Sequence, residues 1–333
     1  MAYTTTRRAA LLAAAGGLAA PLVARGDALA QAGGGDYPNR PVRMVVGFAA
    51  GGGTDITTRT LQPRLAEALG QPVVVENRPG ASGNVATELV VRAAPDGYTL
   101  LMGTIAALSI NPTLFPNLGF DPSEDLTAIS MSGDVLNVLV VPADRPWRSV
   151  ADLVAAARAA PGTLNYSSSG VGGSGHLGGA LFDRMAGVQT VHVPYRGGGP
   201  AMTDLVAGKV DFSFSTASTA LPQVEAGKLR LLAVPNLRRS ALLPDTPAVS
   251  ETLPGFDVAN WNALVGPKGL PRPVVERANA AMRRALAAPE VAASLRRHGV
   301  EPTPSSPEEL ARFIREERAK WAPIVRESGA SVG

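Results

Sequence analysis

Three glycine-rich loops carry most of the residues in this sequence that could hold a small ligand. The first spans residues 47–55, the second 168–175 and the third 194–200. The first two each follow a short apolar run and precede a stretch with helical periodicity, so each should place a helix N-terminus at the end of a strand. Such a terminus exposes backbone N–H groups and a partial positive charge. The sequence therefore predicts that these loops can bind a small anion.

The second loop also matches a dinucleotide-binding pattern. Residues 170–175 read G-x-G-x-x-G between a predicted strand and a predicted helix. The acidic residue that should follow for a ribose hydroxyl is missing, because no Asp or Glu lies between Asp183 and Asp204. Arg196 could instead hold the 2′-phosphate of NADP, which leaves an exported NADP-dependent oxidoreductase as an alternative. The simpler prediction is an anion site without a cofactor, with Ser174 as an extra donor.

The other two loops differ in the side chains that they offer. The first lacks the lysine of a phosphate-binding P-loop, and Asp55 or Thr54 is suited to capping the helix that follows. The third loop adds the hydroxyl of Tyr195 and the guanidinium of Arg196 beside more glycine. Two interpretations of Arg196 stay open, a solvated surface charge and a clamp on a ligand.

Signs of catalysis are weak. Residues 172–176 fail the nucleophile-elbow pattern, because His176 stands where that pattern needs glycine. The three histidines, His176, His192 and His298, lack the spacing of metal ligands. We therefore predict a binding protein that is not an enzyme and holds no metal.

Composition narrows the class of protein further. The chain has 333 residues, 45% of them apolar, and no cysteine, so disulfides and thiolate chemistry are excluded. This length favours two domains. The net charge of +3 comes largely from the first 30 residues, and no basic run interleaved with aromatics suggests a nucleic-acid groove. Nucleic acid is therefore not an expected partner.

The first 30 residues have the pattern of an export signal. Arg7 and Arg8 precede an apolar stretch of about 15 residues, too short to span a bilayer, and Ala28-Leu29-Ala30 resembles a cleavage site. The adjacent arginines and the Ala/Gly-rich apolar stretch favour the twin-arginine route over the general secretory route. We expect cleavage after Ala30 and a periplasmic location.

The rest of the chain alternates short apolar runs with helical-period stretches, which indicates α/β units with mainly parallel strands. Leu61, Leu65 and Leu69 mark one face of the first helix. Residues 121–134 look like a polar stretch, and the charged last helix, residues 307–328, like an exposed face with Trp321 packed inward. The layout predicts two α/β lobes around a cleft, with crossings near Leu136–Val141 and Ala259–Val265.

Several motifs, in order along nearly the whole mature chain, resemble one family. They include YPNRPVRMVVGFAAGGGTDITTR from Tyr37, VVVENRPGASGN from Val73, PDGYTLLMGT from Pro95, NYSSSGVGGSGHL from Asn165 and HVPYRGGGPAMTDLVAGKVD from His192. AGKLRLLAV from Ala226 and LPDTPAVSETLPGF from Leu243 follow. The chain resembles the substrate-binding proteins of the tripartite tricarboxylate transporters, the TctC or Bug family. It departs at Ile105-Ala106-Ala107-Leu108, where many members carry small polar residues.

The resemblance implies a two-lobed, periplasmic-binding-protein-like flytrap of two Rossmann-like α/β domains joined by a hinge. We assign residues 37–137 plus 262–333 to lobe I and 138–261 to lobe II. It also implies a protein without cofactor, acting as a monomer, that delivers a small carboxylate to the permease subunits of a transporter. The binding residues that it implies are Phe48, Ala50, Gly51, Gly52, Asp55, Thr104, Ser168, Gly170, Gly172, Ser174, His176, Tyr195, Arg196, Gly197, Asp211 and Thr216. A sensor module that presents its ligand to a receptor kinase stays open as a second alternative.

Overall fold

The computed structural model describes residues 37–115 and 117–327. The predicted export signal and its cleavage site lie outside these ranges. Within them, no helix combines the length and the apolar character that crossing a membrane requires.

Eleven strands are present in the described residues. In chain order they are β1 (Val42–Val46), β2 (Val73–Asn77), β3 (Thr99–Thr104), β4 (Leu126–Val135), β5 (Asn137–Pro142), β6 (Asn165–Ser168), β7 (Val191–Pro194), β8 (Phe212–Thr216), β9 (Leu229–Ala233), β10 (Trp261–Pro267) and β11 (Val300–Glu301). They form two separate sheets, one in the order β11-β4-β10-β3-β1-β2 and the other in the order β7-β6-β8-β5-β9. We call the unit built on the six-stranded sheet the first lobe and the unit built on the five-stranded sheet the second lobe.

Helices cover both sheets. In chain order they are α1 (Gly53–Leu69), α2 (Asn84–Val91), α3 (Asn111–Leu114), α4 (Pro122–Asp125), α5 (Val150–Ala159), α6 (Ser174–Ala186), α7 (Gly198–Val206), α8 (Ala217–Glu225), α9 (Arg272–Ala287), α10 (Pro289–Arg297) and α11 (Pro307–Glu327). Single 3₁₀ turns occupy Ala81–Gly83 and Val249–Glu251, and a π-helical turn, Ala106–Ile110, leads into α3. The fold is thus a two-lobed α/β fold of the flytrap type, as expected from the sequence.

The first helix forms for the reasons that its sequence suggests. Leu61, Leu65 and Leu69 are buried on one face of α1, which confirms the predicted periodicity. The helix ends at Gly70, which adopts a left-handed conformation with φ of 76° and donates its N–H to the carbonyl of Ala66. In the sheet beneath, β1 lies between β2 and β3 and runs parallel to both. The carboxyl ends of β1 and β3 therefore open onto the same edge.

The expectation of mainly parallel strands is wrong. β10 pairs antiparallel with β3 and β4, and β5 pairs antiparallel with β8 and β9. The reason is that β4, β5 and β10 are not joined to their neighbours by strand–helix–strand units; they adjoin the passages between the lobes. Residues 121–134, expected to be a polar stretch, hold α4 and most of β4, and the helix α8 was not anticipated.

Two chain passages connect the lobes side by side. One residue, Leu136, separates the end of β4 from the start of β5, and the return passage ends at Asn260, just before β10. The N–H of Val135 donates to the carbonyl of Asn260 at 2.9 Å, and the amide of Asn260 donates to Asn137 Oδ1 at 3.1 Å. These bonds tie the two passages into one hinge.

The last helix has a buried acid on a face that was expected to be exposed. Glu317 is 7% exposed and accepts hydrogen bonds from the indoles of Trp261, at 3.1 Å, and Trp321, at 3.0 Å. Trp321 packs inward as predicted. Glu317 therefore anchors α11 to β10, because it satisfies two buried indole N–H groups at once.

Candidate functional site

A narrow cleft lies between the lobes, where the carboxyl ends of β1, β3, β6 and β8 meet. About 50 Å³ of it can hold the centre of a water molecule, which is enough for a few waters or one small group. Its walls are formed by Phe48, Gly52, Gly53, Thr54, Thr104, Ile105, Ala106, Asn137, Ser169, Gly173, Ser174, Gly175, Gly198, Ala201, Phe214, Ser215, Thr216, Thr219 and Asn260. Among the described residues that line it, none has an ionisable carboxyl, amine, guanidinium or imidazole group.

Four helices begin at this cleft. Gly53 and Thr54 open α1, Ser174 and Gly175 open α6, Gly198 opens α7, and Thr216 caps α8. The first amides of a helix have no acceptor within the helix, and they carry the positive end of its dipole. The cleft therefore has a positive potential without a charged side chain, as an anion site requires. Sequence reasoning expected two of these termini.

The loop before α1 is held in shape by a buried carboxylate. Asp55 accepts hydrogen bonds from the N–H of Gly51 at 2.9 Å, from Arg59 and from Asn77, and Asn77 also donates to the carbonyl of Phe48 at 3.0 Å. Burial raises the pKa of Asp55, but these donors outweigh burial and lower it below its ordinary value. Asp55 thus stays ionised and fixes the loop from behind. It does not line the cleft.

The loop before α6 rests on two stacked histidines. The rings of His176 and His192 lie 4.0 Å apart, with Tyr166 stacked on the far side of His192. His176 Nδ1 accepts the N–H of Gly172 at 3.0 Å, and His192 Nε2 lies 2.6 Å from the hydroxyl of Ser168. Burial lowers the pKa of His176 to about 4; burial and the adjacent His176 lower the pKa of His192 to about 3. Both rings are therefore neutral at ordinary pH.

Ser168 completes this support. Its hydroxyl donates to the carbonyl of Gly170 at 3.0 Å and accepts the N–H of Gly170 at 3.2 Å. Gly170 and Gly172 have φ values of 146° and 85°, where glycine is favoured. Ser168 and His176 consequently hold the turn that leads to α6, rather than lining the cleft themselves.

Two buried polar atoms in the cleft wall lack a partner. The hydroxyl of Thr104 and the Nδ2 group of Asn137 are buried and make no hydrogen bond within the described part of the chain. The hydroxyls of Ser169 and Ser174, which also line the cleft, have no bonded partner among the described residues either. Buried polar atoms are normally hydrogen-bonded, so the groups of Thr104 and Asn137 point to a ligand or to waters that accompany one, and the half-buried hydroxyls of Ser169 and Ser174 are available beside them.

Five of the sequence-predicted binding residues are brought together in this cleft: Phe48, Gly52, Thr104, Ser174 and Thr216. Gly170, Tyr195 and Arg196 line a second cavity that also borders Phe48. Gly51 borders an outer groove beside α7 and α8, and Ala50 is exposed next to it. The structure does not bring these three sets of residues to one point.

Two predicted residues have partners that keep them away from the cleft. The hydroxyl of Tyr195 donates to Asp204 at 2.8 Å. Asp211 forms an ion pair with Arg145 at 2.7 Å and accepts the N–H of Asn165 at 2.9 Å. Asp211 lies just before β8, at the end of the strand opposite to Thr216. Its carboxylate therefore serves the packing of the second lobe.

Comparison with known proteins identifies the family. The family model described as the tripartite tricarboxylate transporter family receptor, TctC, matches residues 57–330. The chain belongs to this family. The receptor is also similar to three solved structures whose chains it covers almost completely, all at more than 30% sequence identity.

One of these is Rpa4515 of R. palustris with adipate, at 36% identity and a TM-score of 0.86, covering 89% of the receptor and 99% of that chain. The periplasmic binding protein BugD is 34% identical with a TM-score of 0.85, over 89% of the receptor and 99% of its own chain. MatC (Rpa3494) from Rhodopseudomonas palustris with bound malate is 33% identical with a TM-score of 0.83, over 87% of the receptor and 100% of that chain.

The lobes of the receptor touch each other around the cleft. The N–H of Ala49 in the first lobe donates to the carbonyl of Arg196 in the second at 3.2 Å, and the hydroxyl of Ser82 donates to the carbonyl of Val171. A Cβ atom on Gly197 would lie only 2.9 Å from the nitrogen of Ala49. The receptor is therefore in a closed form, and Gly197 permits the contact between lobes.

Gly172 also permits contact between the lobes. A Cβ atom there would lie 2.5 Å from Leu114 Cδ2 and 2.6 Å from Asn111 Oδ1, both in the first lobe. The expected approach of Gly172 to a ligand stays a prediction; in the structure it lies against the opposite lobe.

Sequence reasoning missed several cleft residues of the receptor, including Asn137, Ser169, Thr219 and Asn260. Asn137 and Asn260 stand at the start of β5 and just before β10, where the chain passes between lobes. A polar residue at the edge of an apolar strand, near a predicted crossing, is the signal that could have found Asn137. Thr219 could not have been found, because its helix was not predicted.

Proposed function

We propose that this receptor is an exported solute-binding protein of the periplasm. It captures a small organic carboxylate between its lobes and delivers it to the permease subunits of a tripartite tricarboxylate-type transporter. Neighbours with adipate and malate support the ligand class, periplasmic BugD supports the compartment, and the family description supports the transporter. Binding occurs without catalysis, with the receptor as a monomer.

One observation carries the proposal: the cleft combines four helix N-termini with unpartnered polar groups and an uncharged lining. A carboxylate placed there would accept hydrogen bonds from the first amides of α1 and α6. Thr104 and Asn137 would donate to it, directly or through a water molecule. A cationic ligand would meet the positive ends of these helix dipoles and find no carboxylate to pair with.

Several of these groups must act together. One helix terminus stabilises a nearby anion by about 0.3 to 2 kcal/mol, whereas a micromolar Kd corresponds to about 8 kcal/mol. Termini of α1 in the first lobe and α6 in the second therefore need to reach the ligand at the same time. Closure supplies this arrangement and excludes water, which strengthens each interaction.

The lobe boundaries follow from the hinge. We place them at residues 137 and 262, as the sequence suggests, so that lobe I comprises residues 37–137 and 262–333 and lobe II residues 138–261. The end of β4 at Val135 and the start of β10 at Trp261 support these positions. The leader is removed after Ala30, so N-terminal sequencing of periplasmic protein should begin at Gln31.

Calorimetry on stripped protein tests the binding function. The receptor is unfolded, dialysed, refolded and titrated with mono- and dicarboxylates in EDTA. Thr104→Val should weaken carboxylate binding by about 10- to 150-fold, because a hydrogen bond to a charged group stabilises by about 1.5–3 kcal/mol. The ligand-free protein should be as stable as the wild type, because valine removes an unpartnered buried hydroxyl without changing the shape of the side chain.

Thr87→Val is the matched control. Thr87 is also buried, but its hydroxyl donates to the carbonyl of Gly83 at 2.9 Å, and it does not line the cleft. This variant should lose stability and keep the wild-type affinity. If no carboxylate binds the stripped receptor, the proposed function is wrong. If the two valine variants bind carboxylate equally well, the hydroxyl of Thr104 does not hold the ligand.

A further inference from the structure

A second cavity, of about 270 Å³, lies beside the cleft on the other side of Phe48. Phe48 and Ser169 line both spaces, so the two spaces are neighbours that share part of their walls. The cavity is lined by residues of both lobes: Gly47, Phe48, Gly80, Ala81, Ser82 and Phe115 from the first, and Ser169, Gly170, Val171, Pro194, Tyr195 and Arg196 from the second. It therefore exists in this form when the lobes are in contact.

Most of its lining cannot recognise a charge. Phe48, Phe115, Val171 and Pro194 are apolar. Two of its three side-chain hydroxyls are already engaged, since Tyr195 donates to Asp204 and Ser82 donates to the carbonyl of Val171. The third, that of Ser169, lines both the cavity and the cleft. These walls fit a hydrocarbon segment better than a polar one.

Arg196 is the exception. Its side chain is exposed, and the guanidinium makes no hydrogen bond or ion pair within the described residues. Its backbone is fixed by closure, because its carbonyl accepts the N–H of Ala49 at 3.2 Å. None of the described residues lining this cavity is an aspartate or a glutamate. A free guanidinium in this setting can pair with a carboxylate through two parallel hydrogen bonds.

We infer that the second cavity is a subsite for the far end of an elongated ligand. One carboxylate of the ligand occupies the cleft, an apolar segment passes Phe48, and a second acidic group pairs with Arg196. The inference rests on the proposed function and narrows its substrate class to acids with two anionic groups separated by an apolar spacer. Arg196 then determines specificity for the second group, and spacer length decides which acids reach it.

Matched pairs of acids test this subsite. Stripped receptor is titrated with succinate, glutarate, adipate and pimelate, and with the monocarboxylates of equal carbon number, butyrate to heptanoate. Wild-type receptor should prefer one dicarboxylate over its monocarboxylate by about 10- to 100-fold, the value of one charge-assisted pair. Arg196→Gln should remove this preference. It should weaken binding of the dicarboxylate and leave the affinity for the monocarboxylate within about twofold of the wild-type value. Arg196→Lys should restore part of it.

Arg283→Ala is the control for overall charge. Arg283 is exposed on α9 and does not line the cleft or the second cavity. Arg283→Ala should leave the affinity for both classes of acid unchanged. If Arg196→Gln weakens both classes equally, or neither, Arg196 does not read a second acidic group and the subsite is refuted while the proposed function stands. If no acid of either class binds the wild type, the proposed function fails and takes this inference with it.

Discussion

Replacing Gly197 by alanine should weaken ligand binding without unfolding either lobe. The added Cβ would lie 2.9 Å from the nitrogen and 3.0 Å from the Cβ of Ala49, in the opposite lobe, and would strain a residue with φ of 151°. It would also disturb the bond from Ala49 to the carbonyl of Arg196. Overpacking of this kind costs about 1–3 kcal/mol, and it acts on the closed form alone.

The expected change in affinity follows from this cost. Since only the closed form holds the ligand in both lobes, the apparent Kd rises as the population of that form falls. A cost of about 1–3 kcal/mol corresponds to about a 5- to 150-fold weaker Kd. Calorimetry gives the Kd, and small-angle scattering gives the radius of gyration at saturating ligand. The variant should need more ligand to reach the compact form.

Gly208→Ala is the control that separates the effect of a clash between the lobes from the effect of backbone strain. Gly208 also has a positive φ, 72°, but a Cβ there would meet no atom within 4 Å. This variant should lose some stability through strain and bind like the wild type. Wild-type affinity in Gly197→Ala would refute the reasoning. So would a loss of affinity in Gly197→Ala that Gly208→Ala matches.

Three further predictions concern closure, acid and the last helix. Ser82→Ala removes the hydrogen bond to Val171 across the lobes, so the Kd should rise by about 2- to 10-fold while the ligand-free melting temperature stays constant; an unchanged Kd would show that this bond does not favour closure. The pKa of His176 is lowered from 6.5 to about 4 and that of the stacked His192 to about 3, so the unfolded chain binds more protons and stability should fall as pH drops from about 6.5 to 4, on the order of 3 kcal/mol for each histidine in urea titrations. His176→Gln should reduce that dependence by about half, and an equally steep slope in the variant would assign it to other groups. Glu317→Leu leaves two buried indole N–H groups unpaired and should lower the free energy of unfolding by about 2–5 kcal/mol, with Glu317→Gln less affected; equal losses in both would contradict this role.

The sequence was sufficient for features with a strong local pattern. The spacing of Leu61, Leu65 and Leu69 predicts α1, and the glycines before it predict a loop at the end of β1. β4 was missed because its hydroxyl side chains resemble a loop. In the structure Ser130 and Ser132 are buried, and their hydroxyls donate to carbonyls of Met131 and Asn262. Because backbone carbonyls accept these buried hydroxyls, polar residues also occur on the buried side of β4. The sequence therefore lacks the alternation of apolar and polar residues that indicates a strand.

The predicted binding residues also differ in how well a local sequence pattern predicts their position. Thr104 and Thr216 stand at the ends of predicted strands, and both line the cleft in the structure. Gly172 and Gly197 belong to the glycine-rich second and third loops, yet they lie at contacts between the lobes. A glycine that lets two parts of one chain approach has the same sequence pattern as a glycine that lets a ligand approach. Only the positions of Leu114 and Ala49 distinguish the two cases.

The uncharged lining of the cleft makes recognition depend on the ionisation of the ligand rather than of the protein. Backbone amides and hydroxyls such as that of Thr104 do not titrate near neutral pH. A carboxylic acid has a pKa of roughly 4, so above that pH the ligand is already an anion before it binds. No proton needs to be taken up or released on binding. A change of pH that stays above about 5, where the carboxylic acid remains ionised, should therefore leave carboxylate binding in the cleft unaffected.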